Sequence, residues 1–402
     1  MFNQKRNLMY PSLFLICFFI STALFLNSCG RFFIKDEGLE NKSIEEFSVD
    51  RAVDRGCLII NASPFVKSSA DNTTSTLAVT EITQTAGYTG SFVVPSNGIS
   101  FLLSIFKDSD AIVEIYSLAD PDGTDILSAS STPNLYNDAS GSLGSSGYAN
   151  VLVPQSPSFS AKAGTWTFKA NNNDRVKIIT RTGSTPSDNA TITIQPYITG
   201  TTWSAGDISV ALIIMKRIYS KNGITLTVKS TITISDTQYA TVSGTFTDTT
   251  TSALLSQGST DGVNLFFVQE QLVNTSSLGK AAGIPGSIGI ANSWNGVLIF
   301  LNPHATGATL DAQLLGETAA HEMGHQLGLF HTTESGGTVF DILTDTAECR
   351  NGTISAEECE GYGAENVMFW TPWTTSSRSA GKKQETLSSH QQHVLKYSPI
   401  AK

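Results

Sequence analysis

Residues 321–331 read "HEMGHQLGLFH". His321 and His325 are four apart, so on a helix they share one face, with Cβ atoms about 6 Å apart. That spacing suits two ring nitrogens at about 2 Å from one zinc ion. Glu322 is offset by one residue and can reach a water on the open side of such an ion without binding the ion itself. Gly328 falls where the helix should stop, because glycine tolerates the left-handed backbone that turns a chain away from a helix end. His331 follows three residues later, where a turned chain can return a third imidazole. Three protein ligands leave one tetrahedral position open, which is the arrangement of a catalytic rather than a structural zinc site. The competing reading of His321–His325 alone is a helix with two solvated or core histidines; Gly328 and His331 weigh against it.

The pattern around this stretch is mixed. "ATITIQPYI" (190–198) alternates like a strand, and "SAGDISVALIIMKRIYSKNG" (204–223) has helical spacing. Ser204 is the expected N-cap, and Ile208, Leu212, Met215 and Tyr219 share a face. Further strands are expected at 224–234, 262–268, 286–292 ("GSIGIAN") and 296–302, followed by a helix from about Leu310 to Leu327. A terminal helix is expected in "TLSSHQQHVLKYSP", capped by Ser388 or Ser389. The order β-α-β-β-β-β-α predicts an α+β layer arrangement. Upstream, "GSFVVPSNGISFLLSIF", "AIVEIYSL", "GTWTFKA" and "RVKIITRTG" are short β-type runs separated by turn clusters, which predicts an all-β sandwich of jelly-roll type. Asp120, Asp122 and Asp125 in "DPDGTD" read as a plain turn, with a calcium loop as the alternative.

The N-terminus, "MFNQKRNLMYPSLFLICFFISTALFLNSCG", places two cations before an apolar run and a cysteine after it. This is the layout of a leader peptide, and Leu26–Cys29 resembles a bacterial lipobox in which Cys29 would carry lipid. An uncleaved membrane anchor is the alternative. The 402 residues carry a formal charge of −10 and only 15 % charged side chains. The acidic balance, with no basic cluster, argues against nucleic-acid binding. The low charge and abundant Ser, Thr, Gly and Asn suit an exported protein. In an oxidising compartment Cys349 and Cys359, which bracket a short loop, are the expected disulfide. Cys57 is left over as a free thiol.

"HEMGHQLGLFH" resembles the metzincin signature HExxHxxGxxH at every fixed position. Metzincins also carry a methionine turn beneath the metal, and "ENVMFW" offers Met368. Within them the chain is most similar to the pappalysin/cytophagalysin group, through "GIPG" (283–286), "GLFHTTE" (328–334), "DILTDTAEC" (341–349) and "NVMFW" (366–370), over roughly residues 190–400. The resemblance implies a metzincin-type α+β catalytic domain at 189–402, with a twisted mixed sheet, an active-site helix and a Met-turn. It would follow a leader (1–28), a tether (29–56) and the β-sandwich as accessory or pro-domain (57–188). It also implies one catalytic Zn2+ on His321, His325 and His331, with Glu322 as general base in hydrolysis of a protein or peptide. "GSIGIAN" would be the antiparallel edge strand lining the cleft. Asp341 and Asp345 resemble loop acids that hold Ca2+ in relatives, with solvated carboxylates as the alternative; Glu334 is in the same position. Trp370 stands where several relatives place a tyrosine that steadies the oxyanion, so that role does not carry over. His304 is expected to line the cleft, and His390 and His393 to be surface residues. The expected assembly is a monomer held to the cell envelope by lipid. Rival readings are a non-catalytic surface protein that binds host or matrix proteins, against which the intact Glu322 stands, and an amidase acting on a non-peptide bond. Autoprocessing is expected near residues 188–204.

Overall fold

The computed structural model describes residues 48–49, 60–61, 76–82, 88–107, 111–127, 144–171, 175–186, 189–274, 276–350 and 355–402. The leader, Cys29, Cys57 and most of the tether lie outside them. The chain divides into two units, residues 1–70 and residues 71–402; in the first, Ser48–Val49 pairs antiparallel with Ile60–Asn61. No helix of the described residues is long and apolar enough to cross a membrane.

The second unit begins with eight strands: β1 (Thr76–Ile82), β2 (Thr89–Val94), β3 (Gly98–Phe106), β4 (Ile112–Ala119), β5 (Gly144–Ser146), β6 (Tyr148–Val153), β7 (Gly164–Ala170) and β8 (Arg175–Thr182). Their hydrogen-bonded order is β1-β8-β3-β6-β5-β4-β7-β2, antiparallel throughout. Successive side chains on a strand point to opposite faces. In β3, β6 and β8 both faces are buried. Phe101, Leu103, Ile105, Val151, Val153, Val176 and Ile178 meet Trp166 and Phe168 in a core internal to this β-module. Leu102, Phe106, Leu152 and Ile179 point the other way, into the core of the segment that follows. In "DPDGTD" the Asp120 carboxylate accepts the Asp122 and Thr124 amides, and the Lys162 ammonium sits 2.5 Å from Asp120 and 2.9 Å from Asp122. That is a plain turn closed by a lysine.

The remainder is a six-stranded mixed sheet flanked by helices. It runs β9 (Ala190–Thr199), α1 (Ser209–Lys221), β10 (Ile224–Val228), β11 (Ile232–Ile234), β12 (Val263–Val268), β13 (Gly279–Ala281), β14 (Val297–Phe300), α2 (Ala312–Gln326) and, near the end, α3 (Ser389–Lys396). The sheet order is β10-β9-β12-β14-β13, with β11 also paired to β9; β13 alone is antiparallel and forms one edge. Ile192, Ile194, Leu265, Phe267, Val297 and Ile299 face α1 and α2. Tyr197, Phe266, Val268, Leu298 and Phe300 face the short helix Thr249–Leu255. Ile208, Leu212, Met215 and Tyr219 are buried as their spacing predicts, and the Tyr219 hydroxyl donates to the Ala320 carbonyl at 2.9 Å.

Two expectations are corrected. Helix α1 starts at Ser209, later than expected, because Ser204 caps a preceding turn: its amide and hydroxyl both donate to Asp207 Oδ2. "GSIGIAN" forms turns, and the antiparallel edge strand is β13, several residues earlier. Pro285, Gly286 and Gly289 (φ +75°) interrupt a strand there, since proline removes a ladder donor and glycine accepts the turn backbone. The expected autoprocessing region also overlaps β9, a strand bonded on both edges whose Ala190, Ile192, Ile194 and Ile198 are buried. Among the described residues of that region, Asn189 and the loop from residue 200 onward are the exposed parts.

Behind α2 lies a polar cluster. Glu385 bonds Arg217, Lys221 (2.5 Å) and Gln313, and Gln313 in turn donates to Glu317 at 2.7 Å. Glu317 is 3 % exposed and its Oε2 has no partner. Burial pushes its carboxyl up to about 7, against hydrogen bonds from Gln313 and the Gln384 amide. A carboxyl whose folded pKa is raised from 4.5 binds more protons folded than unfolded. Its contribution to stability is therefore present below about pH 4.5 and lost as pH rises towards 7. Glu317→Gln removes that loss. Urea unfolding at pH 5 and pH 8 should give the variant a gain over wild type that grows with pH, on the order of 2 kcal/mol. A gain equal at both pH values would contradict the assignment.

Candidate metal centre

Helix α2 begins at Asp311, whose Oδ1 accepts the Leu314 amide at 3.0 Å and satisfies one of the free N–H groups of the first turn. From Leu314 to Gln326 every residue but His321 is buried. The helix is closed by the Gly328 amide on the His325 carbonyl and the Leu329 amide on the Gly324 carbonyl, both 2.9 Å. This pairing needs a residue with positive φ, and Gly328 has +106°. The turn sends Leu329–His331 back across the helix.

The result is a convergence of three imidazoles. The Nε2 atoms of His321, His325 and His331 stand 3.0, 3.0 and 3.1 Å apart. Each Nδ1 is engaged elsewhere: His321 on the Val367 carbonyl at 2.7 Å, His325 on the Leu329 carbonyl at 2.7 Å, His331 on Glu334 Oε2 at 2.9 Å. A carbonyl or carboxylate can only accept, so each Nδ1 carries the proton and each Nε2 is left as a lone pair. Three lone pairs aimed at one point fit a cation. Ligand nitrogens about 2 Å from a tetrahedral zinc stand about 3.3 Å from one another. Desolvation of its half-buried ring lowers the His321 imidazole to about 3, and full burial takes His325 well below its usual range, with neighbouring histidines adding. Both are held neutral, the form that ligates.

Two structures close the site from opposite sides. Below, Met368 is fully buried, and a Cβ at Gly324 would stand 2.4 Å from its sulfur. The Thr332 amide donates to the Met368 carbonyl at 3.0 Å, and the Met368 amide donates to Asn366 Oδ1, which also bonds Gln391 on α3. Above, the Glu322 carboxylate lies under β13, beside Gly279 and facing the Ala281 N–H. A Cβ at Gly279 would sit 2.6 Å from Glu322 Cγ. Burial pushes the Glu322 carboxyl up to about 8, opposed by the Ala281 N–H and by Lys280.

Other residues singled out from the sequence fall as follows. Cys349 and Cys359 are disulfide-bonded, and the Cys349 amide donates to Thr333 Oγ1, two residues beyond His331. Asp345 caps α3, accepting Ser388, Ser389 and the His390 amide; Asp341 accepts the Leu343 amide and the Thr346 hydroxyl. Among the described residues only the three histidines form a set of three potential ligands within 4.8 Å, so the structure does not gather these acids into a shared cation site. Ser388 is the N-cap of α3, reinforced by Gln391. His304 is not a cleft residue. It is buried, with Nδ1 on the Phe300 carbonyl and Nε2 on the Thr318 hydroxyl, and burial lowers it to about 4. Trp370 packs against the disulfide cluster and its indole nitrogen has no acceptor. Glu334, expected among the loop acids, instead holds His331, and its position three residues after that histidine is the local signal for the contact.

Residues 207–332 match the Reprolysin-like model of metallo-peptidase family M12B. The chain is also similar to "Extracellular metalloprotease 1" of Coccidioides posadasii (strain C735), with 29 % identity over 136 residues, 31 % of this chain and 46 % of that protein. The chain thus spans about half the length of this curated relative. One solved structure, the tripod (BppUct-A-L) from the baseplate of bacteriophage Tuc2009, overlaps 45 % of this chain and 98 % of its own at 12 % identity, but its TM-score of 0.15 carries no argument about the fold. The matched segment contains all three histidines and Glu322. These similarities support a zinc metalloprotease domain here.

His331 alone among the three is oriented by a carboxylate. Removing such a partner typically weakens metal binding about 10- to 100-fold. Glu334→Ala should show a loss in that range in chelator competition, and Glu334→Gln, which keeps an acceptor oxygen, a smaller one. Equal affinity in wild type and Glu334→Ala would show the contact to be idle.

Proposed function

We propose that this protein is an exported zinc endopeptidase. The observation that carries the reading is the convergence of three imidazoles, with a carboxylate on the adjacent helix position, inside a segment matching a metallopeptidase family. His321, His325 and His331 would hold the ion. Zinc, when bound, supplies a Lewis acid that polarises the scissile carbonyl and acidifies water from a pKa of about 15.7 towards ~7. Glu322 takes the proton from the attacking water and returns it to the departing amine. The roof formed by Gly279–Ala281 keeps that carboxylate from swinging away. β13 is an edge strand, and its free side can add an extended peptide by main-chain hydrogen bonds. This supports a polypeptide substrate. Met368 forms the floor, and the Cys349–Cys359 bridge ties the loop beyond His331.

The narrower likeness to the pappalysin/cytophagalysin group rests on the segments flanking the histidines. Export rests on the leader-like N-terminus, the disulfide and the likeness to an extracellular metalloprotease. Attachment through a lipid on Cys29 belongs to the same reading, and N-terminal sequencing with mass analysis of the mature protein tests it.

Purified protein should cleave casein or gelatin, lose that activity to a zinc chelator and regain it with added zinc. Glu322→Ala should retain zinc yet lose about 10²- to 10⁴-fold in kcat, the usual contribution of a general base. Undiminished cleavage by Glu322→Ala, or no cleavage of any protein by the zinc-loaded wild type, would overturn the assignment.

A further inference from the structure

Strand β6 presents Tyr148, Asn150 and Leu152 on one face, and all three meet the segment that carries the histidines. The Tyr148 ring stacks on Trp294 with centroids 4.1 Å apart. Asn150 Nδ2 donates to the Pro285 carbonyl at 3.0 Å and contacts Ser287 Oγ at 3.3 Å. Leu152 Cδ2 lies 2.9 Å from where a Cβ would stand on Gly328. Just beyond the strand, Gln155 Nε2 donates to the Gly328 carbonyl at 3.0 Å. Asn150 and Gln155 are 6 % and 4 % exposed, so neither bond is shared with bulk water.

These bonds grip one place. A helix leaves its last carbonyls without partners, and a buried carbonyl left so costs stability. The Gln326 carbonyl at the end of α2 accepts the Gly286 amide at 3.0 Å, and Gly286 adjoins the Pro285 that Asn150 holds. The Gly328 carbonyl, midway between His325 and His331, is taken by Gln155. Two amides of the β-module therefore fix the C-terminal end of the active-site helix from two sides, one directly and one through residues 285–286. Arg181 of β8 adds a third tie, donating to the carbonyl of Lys396, the last residue of α3, at 2.5 Å.

We propose that the β-module is a permanent part of the catalytic unit, in which Gln155 and Asn150 are positioning residues that hold the Gly328 turn and so the third histidine ligand. The proposal rests on the zinc-site reading above. It places the module outside the class of removable pro-segments and detachable accessory domains. Cutting it away would uncover the core residues that Leu102, Leu152 and Ile179 pack against and leave the Gly328 carbonyl without its Gln155 donor.

The test uses the full-length, zinc-loaded protein and follows zinc release to excess chelator, with kcat and KM on a casein peptide. Gln155→Leu keeps the side chain's approximate volume and removes the donor. Its zinc release should quicken by about tenfold, the lower end of what lost outer partners of metal ligands cost, with kcat reduced more than KM. Asn150→Ala should act in the same direction and serves as the second variant if Gln155→Leu does not fold. Val151→Ala is the control. It faces the module's own core, so it should lower the melting temperature while leaving zinc release at the wild-type rate. Wild-type release from both Gln155→Leu and Asn150→Ala, or release from Val151→Ala as fast as theirs, would overturn the clamp. An active, zinc-bound species lacking residues 76–182 would do the same. A wild type that binds no zinc would bring down the zinc site as well, and that failure is told apart because it appears before any variant is made.

Discussion

Three imidazole nitrogens about 3 Å apart, each with its lone pair turned inward, repel one another unless a cation lies among them. Much of the chemistry-bearing half of the chain serves to hold that arrangement. Two of the outward nitrogens are fixed by main-chain carbonyls, Val367 and Leu329, and a carbonyl is held by the fold itself rather than by a rotamer. The third is fixed by a carboxylate on a loop that the disulfide and Thr333 tie down. For His321 and His325 neutrality follows from the loss of solvent around their rings, and that follows from packing the helix on all sides, by α1, by the sheet, by Met368 and by β13.

That packing explains why the β-module cannot be read as an appendage. A sheet with one face in its own core and the other in a neighbour's has no solvent side to alternate towards. Strands of this kind are written as continuous apolar runs, as in "ISFLLSIF" and "YANVLV". The outer strands β2, β4 and β7 alternate instead, with Ser91, Val93, Glu114, Thr165 and Thr167 exposed. The division between the two classes of strand marks which part of the module touches the rest of the unit.

The legible part of the molecule was the part whose chemistry is local. The three histidines, Glu322, the Gly328 turn, the α1 face and the Cys349–Cys359 bridge are all set by spacings of a few residues. What was not legible depends on distant partners. β13 is three residues of "GKA", too short and too small-chained to carry a period, and it is a strand only because β14 lies beside it. "GSIGIAN" has the alternation of a strand, but its backbone belongs to a turn anchored by the Ser287 amide on the Trp294 carbonyl. Gln155 and Asn150 sit more than 130 residues from the carbonyls they hold, and no local pattern distinguishes them from other polar residues near strand ends. The β6 run is not among the strands the sequence marks out, and its two-sided burial has meaning only through what lies on its second face.

The tightest fit in the site concerns Glu322. Its side chain passes under Gly279 with no room for a Cβ, and its carboxylate faces the N–H side of β13. A general base has to reach two places in sequence, the water it deprotonates and the nitrogen it later protonates, and both lie on the open side of the metal. A long, loosely packed glutamate would cover that span at the cost of precision. Here the strand that would pair with the substrate is also the lid over the base. On the proposed reading, the same two residues that shorten the carboxylate's excursions would border the path of the peptide, so substrate register and base position would be set by one piece of backbone. An additional side chain at position 279 would disturb both together, which is a physical reason for the smallest residue to stand at that point of the edge strand.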